Sequence, residues 1–134
     1  MKGRITGKAL DRSGDFMPRI GGVPGGQMTP FKTRVIAFCP PVEESECKKA
    51  RFALGFVYTG TREPTAVVET DEQGNFILEL EQGEYSLFVE YYPEVFYSRS
   101  VRRNKAGTGD IVGPVDVVSD ETQKHDMIVN RGTD

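Results

Sequence analysis

The amino-acid sequence predicts an all-β protein: an antiparallel β-sandwich of about seven strands with long loops. Three observations carry that prediction. Between Asn75 and Tyr92 apolar residues recur at every second position, first Phe76, Leu78 and Leu80, then Tyr85, Leu87, Val89 and Tyr91. Successive side chains of a strand point to opposite faces, so this spacing buries one face of each strand. The chain also holds 15 Gly and 8 Pro, which interrupt any long helical stripe. Finally, 134 residues with an ordinary apolar share are enough to close one core, so residues 1–134 are read as a single domain.

Taken in order, residues 2–10 form a first strand with Ile5 and Ala9 on its buried face, ending in the turn Asp11–Gly14. Residues 15–32 include GGVPGG, too dense in helix and strand breakers for a regular element, and are read as a long loop. Thr33 to Cys39 is a second strand with apolar residues on both faces, which predicts that both faces are covered. Pro40 and Pro41 stop it, and residues 42–51 suit one or two helical turns. Phe52 to Tyr58 is an apolar run, and Thr65 to Thr70 is a strand leading into the block that follows. That block reads as a hairpin: one strand after Asp71-Glu72-Gln73-Gly74, a second after Glu81-Gln82-Gly83-Glu84. Pro93 to Gly113 is a second irregular stretch, and Val115–Val118 and Asp126–Val129 close the chain as two strands.

The net charge of −3 argues against general nucleic-acid binding. The charge is uneven. Residues 1–62 carry 11 Lys and Arg against 5 Asp and Glu, whereas 63–134 carry 6 against 15. Such a division suits head-to-tail association of copies, unless interleaved strands mix the charges on the surface. Nothing reads as a signal peptide or a membrane-spanning segment, since no run approaches the ~20 apolar residues of a transmembrane helix. Two cysteines, Cys39 and Cys47, are too few for a disulfide scaffold. Two arrangements are open for them: a local disulfide, or a buried free thiol with an exposed one.

The stretches GRITGKALDRSG, RVIAF and TDEQGNFILELEQGEYSLFV resemble the carboxypeptidase regulatory-like domains of the transthyretin-like (prealbumin-like) β-sandwich class. The matching positions are Asp11 and Gly14, then Thr70, Asp71, Gly74, Phe76 and Leu78, then Gly83, Tyr85, Leu87 and Val89. About half of the chain takes part. The resemblance implies the sandwich and says little about function. The N-terminal domains of phage tail fibres are similar too, with a first strand at the initiator Met, a D-x-x-G-x-aromatic block and a G-x-Y-S-apolar block. That similarity implies a virion component.

Enzymes of this general architecture fit poorly. Transthyretin-related ureide hydrolases resemble the chain at KALDRSG, but Lys8 stands where their catalytic His belongs and Asn130 where their Tyr belongs. Intradiol dioxygenases need two His, and His125 is the only one in the chain. Cys39, Cys47 and His125 lack zinc-ligand spacing, so no metal and no cofactor is expected. His125 reads as a surface residue beside Asp126. Ser98 and Ser100 have no base near them in sequence.

Binding is the better expectation. Tyr91 to Arg103 combines Tyr92, Phe96 and Tyr97 with Arg99, Arg102 and Arg103, a set that suits a protein partner, a carboxylate or a carbohydrate. The competing reading is that the aromatics close one end of the sandwich and the arginines are solvated. The function expected is a non-enzymatic structural or assembly module, a phage tail, decoration or attachment component of a virion, engaging neighbouring subunits through loops and sheet edges. The alternative is an extracellular, secreted or cell-surface module of a bacterial envelope that recognises carbohydrate or peptide.

Overall fold

The computed structural model describes residues 2–13, 27–103 and 109–130. Its strands are β1 (Lys2–Ser13), β2 (Gln27–Pro30), β3 (Arg34–Phe38), β4 (Val42–Glu43), β5 (Cys47–Lys49), β6 (Phe56–Tyr58), β7 (Ala66–Glu69), β8 (Asn75–Glu81), β9 (Gly83–Tyr92), β10 (Val95–Ser98), β11 (Val101–Arg103), β12 (Asp110–Val112), β13 (Pro114–Val117), β14 (Thr122–Lys124) and β15 (Met127–Asn130). One 3-10 turn, Glu44–Glu46, takes the place of the helical turns expected over 42–51. The architecture is an all-β sandwich, and the expected seven strands are cut into shorter pieces by bends and sheet changes.

The first sheet is built on β1. On one side it pairs antiparallel with β8 and, further along, with β2; on the other it runs parallel to β14 and then β15. The second sheet has the order β5-β6-β10-β9-β3-β7, with β13 alongside the start of β9. A small third sheet, β11-β12-β4, lies against the outer face of the second. Close approach sets the sequence at Gly7 of β1. The His125 amide donates to the Thr6 carbonyl at 2.8 Å, and a Cβ on Gly7 would collide with the His125 carbonyl.

The main core lies between the first two sheets. Ile5, Ala9, Phe76, Leu78 and Leu80 enter from one side, and Val35, Ala37, Tyr85, Leu87, Val89, Val115 and Val117 from the other. The alternation read from the sequence is the alternation found, with Phe76, Leu78 and Leu80 buried and Ile77, Glu79 and Glu81 exposed. A second core occupies the outer face of the second sheet. It contains Ile36, Phe38, Val42, Phe88 and Val112, with Phe56, Tyr58 and Phe96 packed at its rim. The apolar residues on both faces of β3 therefore are both covered, as expected.

One expectation fails in an informative way. β8 and β9 do not form a hairpin: β8 pairs with β1, and β9 pairs with β3, β10 and β13. The turn at Gln82 instead carries the chain from one sheet to the other, and the Tyr85 hydroxyl donates to the Glu81 carbonyl at 2.8 Å across that corner. The Thr70–Gly74 block makes the preceding crossing, from β7 to β8. There Asp71 Oδ1 accepts from the Gln73 and Asn75 amides at 2.9 and 2.8 Å, and Gly74 takes a φ of 79°. Those amide bonds, led by the one from Asn75, hold the Asp71 carboxyl below its ordinary pKa.

Two other expectations change. Most of the described residues of 93–113 are strand, in β10, β11 and β12, rather than irregular chain, and 104–108 lie outside the described residues. Of the 15–32 stretch, residues 15–26 lie outside the described residues, and 27–30 form β2.

Candidate functional site

The structure does not bring the six residues Tyr92, Phe96, Tyr97, Arg99, Arg102 and Arg103 together. β9, β10 and β11 carry the chain around an edge and into a third sheet, and period-two alternation divides the side chains between faces. Tyr97 points into the main core with no exposed surface, and its hydroxyl donates to the Leu54 carbonyl. This corrects its assignment to a binding surface: an aromatic between Val89 and Val57 in the ladders is a core residue. Tyr92 is 49 % exposed and packs on Phe52 and Tyr91. Phe96 lies on the outer face, half-buried, with the Arg34 guanidinium 5.8 Å from its ring centre. Arg99 and Arg103 are exposed.

Arg102 is not a free cation either. Its guanidinium donates to both oxygens of Asp116 at 3.2 and 3.1 Å and also to Glu84. The hydrogen bonds to Asp116 are the main reason its pKa is raised. It therefore locks β11 against β9 and β13, a structural duty rather than a ligand-reading one.

Three assemblies that sequence spacing did not reveal do form. The first is an aromatic end to the sandwich, where Phe52 stacks on Tyr91 at 5.0 Å and meets Tyr97 at 5.6 Å, and the Tyr91 hydroxyl reaches Asp11 at 3.0 Å. The second is a groove of about 190 Å³ lined by Ser98, Arg99, Ser100, His125 and Asp126 among others. His125 is half-buried rather than a surface residue, and burial lowers its pKa from the ordinary value. Its carboxylate neighbour Asp126 accepts from the Lys8 amide at 3.0 Å. Among the described residues no hydrogen bond joins Ser98 or Ser100 to His125.

The third is a cleft of about 340 Å³ over the outer core, between the chain crossing at Gly60–Pro64 and the turn at Glu94. Each side has an arginine fixed on an aromatic ring. Arg34 donates to Glu90 from Nε at 2.9 Å and Nη2 at 2.7 Å, which raises its own pKa and lowers that of Glu90. The Glu90 carboxylate also accepts from the Glu94 amide at 3.0 Å and so holds that residue at a φ of 65°. Arg62 lies 5.4 Å from the Phe38 ring centre and donates to Glu46 and to the Pro40 and Pro41 carbonyls.

Both cysteines are free, so a Cys39–Cys47 disulfide is not the arrangement found. Cys39 lies past the end of β3 and is exposed. Cys47 turns toward the outer core, where burial, with Glu46 and Glu44 beside it, pushes its thiol up to about 12. Of the two arrangements open to the pair, the one found is two free thiols, Cys39 exposed and Cys47 partly buried.

The last feature is the pair of edges of the second sheet. Among the described residues β7 pairs only with β3, and β5 only with β6. The Thr70 amide donates to the Thr33 carbonyl at 2.8 Å, which fixes the phase of the β3–β7 ladder. Hydrogen-bonded pairs alternate in an antiparallel ladder, so Val67 and Glu69 turn their amides and carbonyls to the open side. On β5, the bonds from Thr59 to the Glu46 carbonyl and from Ala50 to the Gly55 carbonyl, both 2.9 Å, turn the backbone groups of Cys47 and Lys49 to the open side, where the Cys47 amide is taken by the Glu44 carbonyl and Lys49 keeps both of its own. Val67 is 49 % exposed.

Among the described residues no three His, Cys, Asp or Glu side chains stand together as metal ligands, and no helix is long and apolar enough to cross a membrane. The chain matches no protein-family model, no curated protein and no solved structure.

Proposed function

We propose that the protein is a non-catalytic assembly module that joins neighbouring chains through the edges of its larger sheet. The observation that carries this reading is the pair of strands β5 and β7, each presenting backbone donors and acceptors with no partner strand among the described residues. Such edges bind extended strands through main-chain hydrogen bonds. The arginines and aromatics that first suggested a ligand surface are largely spent on internal contacts, at Tyr97 and Arg102 above all. The resemblance of the strand motifs to transthyretin-like domains and to phage tail-fibre domains makes a virion the setting we favour.

Native mass spectrometry over a range of protein concentrations tests the reading. Oligomers are expected in the parent protein and a loss of them in Val67→Pro, which removes an outward-facing amide while remaining tolerable on an edge strand. A protein that stays monomeric at every concentration overturns it.

A second reading has a specific observation behind it. The cleft between Arg34 and Arg62 combines half-buried rings with preorganised planar donors, a combination that suits a neutral saccharide. Titration with simple sugars, followed by NMR of the cleft residues, is expected to shift Phe96 and Tyr58 first. No shift at saturating sugar removes this reading.

A further inference from the structure

We propose that the partner at the open edge is a second copy of this chain, joined head to tail, with β7 of one copy pairing antiparallel to β5 of the next. The inference rests on the assembly reading and adds to it the partner, the polarity and the residues of the joint.

Direction comes first. From edge to edge the second sheet runs through six strands in the order β5-β6-β10-β9-β3-β7, with β13 off this path beside β9, and every neighbouring pair is antiparallel. An even number of alternating strands leaves the two edges antiparallel to each other. A copy displaced along the sheet, without being turned over, therefore brings its β5 alongside β7 in the antiparallel sense. The sheet continues and its outer faces stay on one side.

The backbone agrees. Val67 and Glu69 offer outward amides and carbonyls on β7; on β5 Lys49 offers both, and Cys47 its carbonyl, since the Cys47 amide donates to the Glu44 carbonyl. The side chains agree as well. Val67 stands opposite Ile36, and Lys49 opposite Phe56, and both of those partners belong to the outer core. Glu69, two residues from Val67, is on the same face. Setting Glu69 opposite Lys49 therefore satisfies the hydrogen-bond phase and the facing of the side chains at once.

Charge decides between this joint and a two-fold one. Lys48, Lys49 and Arg51 are exposed at the β5 edge, and Glu69, Asp71 and Glu72 at the β7 edge. Among the described residues Lys48, Lys49 and Glu69 are held in no salt bridge, and Arg34, opposite Glu69 in the ladder, is engaged by Glu90. Pairing β7 with a second β7 sets acidic side chains against each other, and pairing β5 with β5 does the same for lysines; both are unfavourable. Lysine on an edge strand ordinarily guards against adventitious pairing. Here the guard works against like edges only, because the opposite edge carries the complementary sign. Strands of three and four residues make a small contact, in the transient class below about 1,200 Å². The joint is thus concentration-dependent, and being heterologous it builds rings or open rows of copies.

Sedimentation velocity from micromolar to millimolar protein, at low and high salt, tests the joint with two variants, Glu69→Lys and the double substitution Lys48→Glu with Lys49→Glu. All three substituted positions are exposed, and circular dichroism checks that each variant remains folded. The parent is expected to associate with concentration and to dissociate in salt. Each variant alone is expected to associate at least tenfold more weakly, because like charges then stand directly opposite each other at positions 69 and 49 of the joint. An equimolar mixture of the two variants is expected to recover association, since each edge again finds its opposite. Association that persists unchanged in both variants overturns this joint and leaves assembly through another surface standing. A parent that never associates overturns the assembly reading itself.

Discussion

The two cores of the sandwich are built from similar residues and behave as different materials. The main core is closed on both sides by sheet, and its central residues Ile5, Val35, Leu87 and Val89 have no exposed surface. The outer core has sheet beneath it and a partial roof of Val42 and Val112. Elsewhere Arg62 lies over Phe38 and Arg34 over Phe96. Its rim opens on a cleft of about 340 Å³ that Ile36 and Phe38 help to line. An apolar cluster roofed by ion-paired guanidinium groups depends on charge and on solvent in a way that one sealed between sheets does not.

The largest effect that separates the two is cavity formation. Leu87→Ala in the main core is expected to cost toward the upper end of the usual range for such truncations, about 2–5 kcal/mol, because both layers are held by ladders that relax little. Ile36→Ala removes a similar volume from the outer core. It is expected to fall toward the lower end of that range, since the cleft lets water or neighbouring side chains take up the space. Urea denaturation of both variants measures the difference. Equal costs, or the reverse order, would show that the outer core is as tightly closed as the main one.

The same contrast explains what the sequence revealed and what it hid. Burial of Ile5, Ala9, Phe76, Leu78 and Leu80 follows from alternation alone, which is a local property. The joining of strands is not local. A short turn such as Glu81–Gly83 serves equally as a hairpin loop or as a corner between sheets. The distinction lay in a mismatch: β8 carries Ile77, Glu79 and Glu81 on its second face, whereas β9 carries Ser86 and Phe88 there, both buried. Strands of one hairpin share their two faces; these do not.

The candidate site was less legible for a related reason. Arg102 reads as a free cation because Glu84 and Asp116, its partners, lie 18 and 14 residues away. Arg34 and Glu90 are 56 residues apart and meet only because β3 and β9 are neighbours. Tyr97 was misplaced because a binding aromatic and a core aromatic look alike until the ladder phase is known. The edge strands β5 and β7 were missed as particular elements for the same reason: which strand ends up outermost is set by the order of the whole sheet.

The smallest expected effect is also the one most specific to the outer core. The Glu90 carboxylate accepts two hydrogen bonds from Arg34 and one from the Glu94 amide, and the Arg34 bonds are the main cause of its lowered pKa. A carboxyl whose pKa is lower in the folded than in the unfolded chain contributes stability above its unfolded value, and that contribution disappears as pH falls through the folded value. Arg34 has 40 % of its side-chain surface exposed, so solvent screens the pair and the contribution is about 1 kcal/mol or less. Arg34→Met keeps an apolar stem over Phe96 and removes the charge. At neutral pH it is expected to be less stable than the parent by that amount. The gap should close on acidification below about pH 4, where the unfolded glutamate is protonated and the folded parent becomes so. The Leu87→Ala deficit, by contrast, should change little over the same interval, because no proton is bound or released at that site. Urea midpoints of the three proteins at a series of pH values separate these outcomes, and a gap for Arg34→Met that stays constant down to low pH would assign the role of Arg34 to packing on Phe96 instead of to its charge.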